Sequence, residues 1–134
     1  MSAKGRAQYI GAGAGLECAA WFHAKEHTMP KYLIQAAYSA EGLRGLQKDK
    51  ASGRKQAVVK AVESLEGKVE AFYFALGDSD VVVIAEFPDT VSAAALSLAV
   101  SATGIARTRT TALLTVEETD RALTKKLTYR PPGA

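Results

Sequence analysis

From residue 31 onward the apolar positions fall into segments whose period alternates between two and a helical repeat, and each change of period marks an element. Lys31 to Tyr38 reads as a strand, with Tyr32, Ile34, Ala36 and Tyr38 on one side, Leu33, Gln35 and Ala37 on the other, and Ser39 following as an N-cap. Leu43, Leu46, Val58, Val59, Val62 and Leu65 keep helical spacing on either side of a polar interruption from Gln47 to Gln56 around Gly53. This predicts a long, broken helix with Gly67 just past its end. Val69 to Leu76 and Val81 to Phe87 are β-rich runs joined by Gly77-Asp78-Ser79-Asp80, a turn that fits an antiparallel hairpin. Pro88 ends the third strand, and Asp89 caps a helix through Val91, Ala94, Ala95, Leu98 and Ala102 that stops at Gly104. Its alanines are expected on the inner face, where small side chains let a helix lie close to a sheet. Ala106 to Leu114 is a fourth strand marked by Thr108, Thr110 and Thr111. Thr115-x-x-Glu118 is a capping box that opens a short helix to about Lys126, and Tyr129 to Gly133 forms a tail.

The order β-α-β-β-α-β plus a terminal helix is the split βαβ arrangement of ferredoxin-like α+β folds. It predicts a four-stranded antiparallel sheet with both long helices on one face. In the second strand, Glu70, Phe72, Phe74 and Leu76 alternate against Val69, Ala71, Tyr73 and Ala75, so both sheet faces are largely apolar. An apolar face left open is normally covered by a partner, which leads to the expectation of a homodimer closed sheet against sheet.

Residues 1–28 show neither period, and Gly11-Ala12-Gly13-Ala14-Gly15 is a turn-rich run. They read as a disordered or non-native N-terminal extension, with Met29 as an alternative translation start and 29–134 as the folded domain. The glycines do not make a dinucleotide fingerprint, because the third falls at Gly15 where the spacing needs position 16. Glycines, Gln8 and Glu17 interrupt any secretory signal, and no apolar run is long enough to span a bilayer. A soluble, cytoplasmic protein with no membrane partner is expected.

Composition sharpens this picture once it is split by position. The chain has 134 residues, 48% hydrophobic and 23% charged, with a formal net charge of +3. Its only cysteine, Cys18, and its only tryptophan and histidines, Trp21, His23 and His27, all precede Met29. The body from Met29 to Ala134 therefore lacks the usual zinc, copper and haem ligands, and also the Cys-His and Ser-His-Asp constellations. No cofactor is expected. Apart from Lys4, Arg6, Lys25, Glu17 and Glu26, every charged residue lies in this body, which has a mixed surface rather than a basic footprint. Phe72, Tyr73 and Phe74 also lack the basic and glycine companions of an RNA-recognition signature, so no nucleic-acid partner is expected.

Parsed this way, the chain from Met29 to Gly133 resembles the GYD domain family of small bacterial and archaeal proteins. The resemblance rests on Pro30-Lys31-Tyr32-Leu33-Ile34-Gln35, Tyr38-x-x-Glu41-Gly42, Arg54, the Gly77 to Asp80 turn before Val81-Val82-Val83-Ile84, and the Pro88-Asp89 helix entry. The family pattern has tyrosine before the final aspartate of the turn, whereas this chain has Ser79, so an aromatic contact from that position is not expected here. The resemblance implies a dimeric α/β barrel. Related barrels include cofactor-independent monooxygenases, isomerases of small ring compounds and effector-binding modules, so the fold alone does not choose a function.

The candidate ligand-binding residues are Tyr38, Glu41, Arg54, Tyr73, Asp80, Arg107 and Arg109. Tyr38, Glu41 and Arg54 come from the end of the first strand and the first helical region. A Tyr-Arg pair suits an anionic or phenolic ligand, although Glu41 also fits a first helical turn for dipole reasons and Arg54 a solvated helix face. Arg107 and Arg109 form a cationic strip that can meet an anion, or pair with Glu70 and Glu86 across strands or across a dimer. Asp78 and Asp80 suit acid-base work or turn hydrogen bonds, and Tyr73 suits packing. Two functions follow: a homodimeric small-ligand-binding or regulatory module, or a cofactor-independent enzyme of monooxygenase or isomerase type acting on a small aromatic or quinone-like substrate. The histidine-free body weighs against the second, because histidine is the commonest acid-base group near neutral pH.

Overall fold

A computed structural model describes residues 29–134; the glycine run, Cys18, His23, His27 and the expected extension lie outside the described residues. The elements are β1 (Lys31–Tyr38), α1 (Ala40–Ser64), β2 (Lys68–Phe74), β3 (Val81–Glu86), α2 (Thr90–Ala102), β4 (Ala106–Leu113) and α3 (Val116–Thr124). The four strands form one antiparallel sheet in the order β2-β3-β1-β4, the ferredoxin-like α+β arrangement.

Local chemistry explains where the helices begin. The Ser39 hydroxyl accepts from the Gly42 amide, and the Asp89 carboxylate accepts from the Ser92 amide, each satisfying an otherwise orphaned donor of the first turn. At α3, Thr115 and Glu118 cap one another reciprocally. Gly67 is required by crowding: a Cβ there would sit 2.6 Å from the Glu86 carbonyl oxygen and 2.9 Å from Val62 Cγ1.

One face of the sheet packs against α1 and α2. Tyr32 and Ile34 of β1 and Val81, Val83 and Ala85 of β3 meet Val62 of α1, Ala93 of α2 and Phe87, with Val62 and Phe87 fully buried. The rings of Tyr32 and Phe87 meet edge to face at 5.9 Å. The Tyr32 hydroxyl bonds to Thr90 Oγ1 at 2.9 Å and ties β1 to the start of α2.

Three expectations about local detail are corrected. Strict alternation in β2 places Val69 and Phe72 on opposite faces, but an irregularity at Glu70 shifts the register, so Val69 opposes Ala85 while Phe72 opposes Val83. Both therefore reach the helix-covered core. In α2 the inner stripe is Ala93, Leu96 and Val100, whereas Val91, Ala94, Ala95, Leu98 and Ala102 are all exposed. This helix is apolar almost all round, so its period does not single out one face. The break in α1 falls at Lys50 (φ 66°, ψ 166°) instead of at Gly53, which is helical.

Alternation leaves Leu33, Gln35 and Ala37 of β1, Val82 and Ile84 of β3, Tyr73 of β2 and Arg107 and Arg109 of β4 on the opposite, uncovered face. Within the chain, Glu70 and Glu86 are taken by Lys31, whose Nζ lies 2.8 Å from one and 2.7 Å from the other. Arg107 and Arg109 pair in register with Ala37 and Gln35 on the far edge of the sheet, separated from β3 and β2 by β1, and so do not make those pairs within one chain. Among the described residues, no helix is long and apolar enough to cross a membrane.

Candidate functional site

Between the sheet and the two long helices lies a cavity of about 210 Å³. Its floor is built from core positions: Ile34, Val81 and Val83 from the strands and Val62 from α1. Val58 and Ala61 of α1 and Leu96 and Val100 of α2 form the walls. The mouth, where the lining becomes exposed, carries Ala57, Thr103 and Ile105. Tyr38, at the end of β1, and Arg54, in the part of α1 that follows the break, bring the phenol and the guanidinium to this cavity.

Tyr38 is fastened by its backbone. Its amide donates to Asp80 Oδ2 at 2.8 Å, and the Asp80 amide donates to the Ala36 carbonyl, also at 2.8 Å. On its other side, the Ser39 amide donates to the Ile105 carbonyl at 2.7 Å, drawing β1 to the start of β4. Gly42 permits that approach, because a Cβ there would sit 2.5 Å from the Ile105 carbonyl oxygen and 3.1 Å from Tyr38 Cδ1.

Electrostatics set the character of the mouth. Burial pushes the Tyr38 phenol above its ordinary pKa; nearby Arg54 partly opposes this, while Asp80 and Asp49 reinforce it. At neutral pH Tyr38 is thus a hydrogen-bond donor rather than a base. Among the described residues the Tyr38 hydroxyl has no hydrogen-bond partner. Among the described residues that line the cavity, Arg54 is the one that carries a charge. Its Nη1 lies 3.6 Å from Asp49 Oδ2, beyond hydrogen-bond length, so the guanidinium fork is only loosely engaged.

Of the residues expected from sequence, the structure brings Tyr38 and Arg54 together at one cavity and places Asp80 behind Tyr38 as its backbone anchor. Glu41 is exposed in the first turn of α1 and does not line the cavity. Tyr73, 69% exposed, and Arg107 and Arg109 stand on the uncovered sheet face. Sequence reasoning does not single out Val58, Leu96, Val100 or Ile105 as a cavity lining, nor Asp49 as the neighbour of Arg54. Among the described residues, no group of three or more His, Cys, Asp or Glu is arranged to hold a metal ion.

A four-stranded antiparallel sheet covered on one face by two long helices, with the cavity between these two layers, places the chain in the α+β class. The model of the GYD domain family matches residues 32–123, well over half of the chain, and the chain belongs to that family. Neither a curated protein nor a solved structure matches it.

Proposed function

We propose that this GYD-domain protein is a homodimeric small-ligand-binding or regulatory module whose cavity takes a small, mostly apolar molecule bearing an anionic or phenolic end. The observation that carries this reading is the pairing of an apolar floor with Tyr38 and Arg54 at the mouth, the combination of greasy walls and few polar groups common to small-molecule sites. Its size supports a ligand smaller than drug-like compounds, since an apolar cavity of about 150 Å³ already holds benzene. A protonated phenol and a guanidinium suit recognition of an oxyanion.

Thermal-shift screening with small aromatic acids tests this reading. A stabilising compound recovered chemically unchanged supports the binding module; its turnover without added metal or flavin supports the cofactor-independent enzyme instead.

The homodimer is part of the same proposal. Leu33, Ala37, Val82, Ile84 and Tyr73 give the uncovered face an apolar centre, flanked by the Lys31–Glu70–Glu86 cluster and by Arg107 and Arg109. A second copy presenting the same face would cover it isologously. Light scattering at micromolar concentration should report twice the chain mass, and a monomer would reject this part. Residence in the cytoplasm belongs to the proposal as well and is checked by cell fractionation.

A further inference from the structure

We propose that the cavity is selective for small monocarboxylates with an apolar body, and that Asp49 is an internal competitor which the ligand's carboxylate displaces from Arg54. This rests on the ligand-cavity reading above and goes further by naming the chemical class and the residue that tunes it.

The first support is the way Asp49 reaches Arg54. On an unbroken helix, residues five apart point about 140° away from one another and do not meet. Here α1 is broken at Lys50, where φ is 66° and ψ is 166°. That backbone region is essentially restricted to glycine. The break swings the Asp49 carboxylate to within 3.6 Å of the guanidinium. A strained residue thus stands next to Asp49, the partner of the cavity-lining Arg54.

The second support is the weakness of that pair. Both side chains are partly exposed, Asp49 more so than Arg54, and the contact is a single N···O separation of 3.6 Å. Such a contact is longer than a hydrogen bond and, at the surface, contributes little. A carboxylate that entered from the cavity side could take two parallel N–H donors in the fork geometry Arg favours. Tyr38 lines the same cavity as Arg54, and its protonated hydroxyl is a further donor for an anion bound there.

The cavity sets the rest of the ligand. Its floor, formed by Ile34, Val62, Val81 and Val83, offers nothing to a second charge, which would be desolvated without a partner. A volume of about 210 Å³ accommodates one ring and a short side chain. One cation and an apolar floor therefore select a monoanion whose charge sits at one end.

The test is isothermal titration of the full chain with 3-phenylpropionate, its neutral amide 3-phenylpropanamide, and phenyl phosphate. The acid is expected to bind at least about tenfold more tightly than the amide, the advantage of charge-assisted hydrogen bonds over neutral ones. Asp49→Asn is expected to tighten the acid several-fold without affecting the amide, and Arg54→Gln to remove the acid's advantage while the amide still binds. Equal binding of acid and amide, or tighter binding of phenyl phosphate, overturns the carboxylate assignment but leaves the cavity reading standing. An unchanged acid affinity in Asp49→Asn overturns the competitor role. Failure of both acid and amide to bind the unaltered chain overturns the cavity reading itself, and this inference with it. Matching circular dichroism and melting temperatures of the variants confirm that a lost affinity is not a lost fold.

Discussion

The Asp80 carboxylate accepts a hydrogen bond from the Tyr38 amide at 2.8 Å, so the turn between β2 and β3 holds the last residue of β1 in place. The Asp80 amide, bonded to the Ala36 carbonyl, adds a second tie to the same strand end. A residue whose type suggests acid-base work is here an anchor for the phenol at the cavity mouth. Asp80→Ala strips the acceptor from a half-buried amide and should cost about 1–3 kcal/mol in urea denaturation. Asp80→Asn, which keeps a side-chain carbonyl, should cost less. Lost ligand affinity with unchanged stability would contradict the anchoring role.

Lys50 offers a test in the opposite direction. Its positive φ and extended ψ are strained for any residue with a Cβ. Lys50→Gly should raise stability by about 1 kcal/mol, strain relief outweighing the added freedom of the unfolded chain. Lys50→Ala should bring no such gain. A glycine variant less stable than the parent in chemical denaturation would show that Lys50 is not strained.

Gly42 and Gly45 lie in the same helix and predict opposite signs. A Cβ at Gly42 meets the Ile105 carbonyl oxygen at 2.5 Å and Ile105 Cγ2 at 2.7 Å; the first is backbone and cannot rotate away. Gly42→Ala should lose about 2 kcal/mol and disturb the mouth around Tyr38. Gly45 has open space around it. Gly45→Ala should therefore gain about 0.5–1 kcal/mol from helix propensity alone. Chemical denaturation of the two variants side by side reads the difference.

At alkaline pH two groups act in the same direction. The Tyr38 phenol is raised by burial, and the Lys31 ammonium by its hydrogen bonds to Glu70 and then Glu86. For each, the folded chain holds its proton more tightly than the unfolded chain. Their stabilising contribution is complete below the ordinary values of 10.0 and 10.5 and is lost as pH rises through the folded pKa values. Stability should therefore fall above about pH 10. Phenolate absorbance titration of the parent minus Tyr38→Phe should show the missing component ionising above the ordinary tyrosine value, and a component at or below that value would contradict the burial of Tyr38.

Much of this architecture is legible in the chain, and the exceptions have physical causes. Ser39, Asp89 and the Thr115–Glu118 box announce helix starts through local chemistry, and the Gly77 to Asp80 turn announces the hairpin. The inner face of α2 is not legible, because Val91, Ala94, Leu98 and Ala93, Leu96, Val100 make equally apolar stripes and only the sheet beneath decides between them. The irregularity at Glu70 brings Val69 to the same face as Phe72 without leaving a glycine or proline to mark it. Tyr38 and Arg54 stand out as site candidates because their side chains carry recognisable chemistry. Val58, Leu96, Val100 and Ile105 do not, since an apolar cavity wall and an apolar core use the same residues. Asp49 is hidden for another reason: its approach to Arg54 depends on the conformation of Lys50, a residue type that gives no sign of a positive φ.

The central claim is that the space between sheet and helices is a ligand site, and methyl-resolved NMR of the full chain with saturating 3-phenylpropionate tests it most directly. Nuclear Overhauser contacts from the phenyl ring to the methyl groups of Val58, Val62, Leu96 and Val100 are predicted, because these residues line the cavity. Ring contacts confined to Leu33 and Ile84 on the uncovered face, or no saturable change at the cavity methyls, would contradict it.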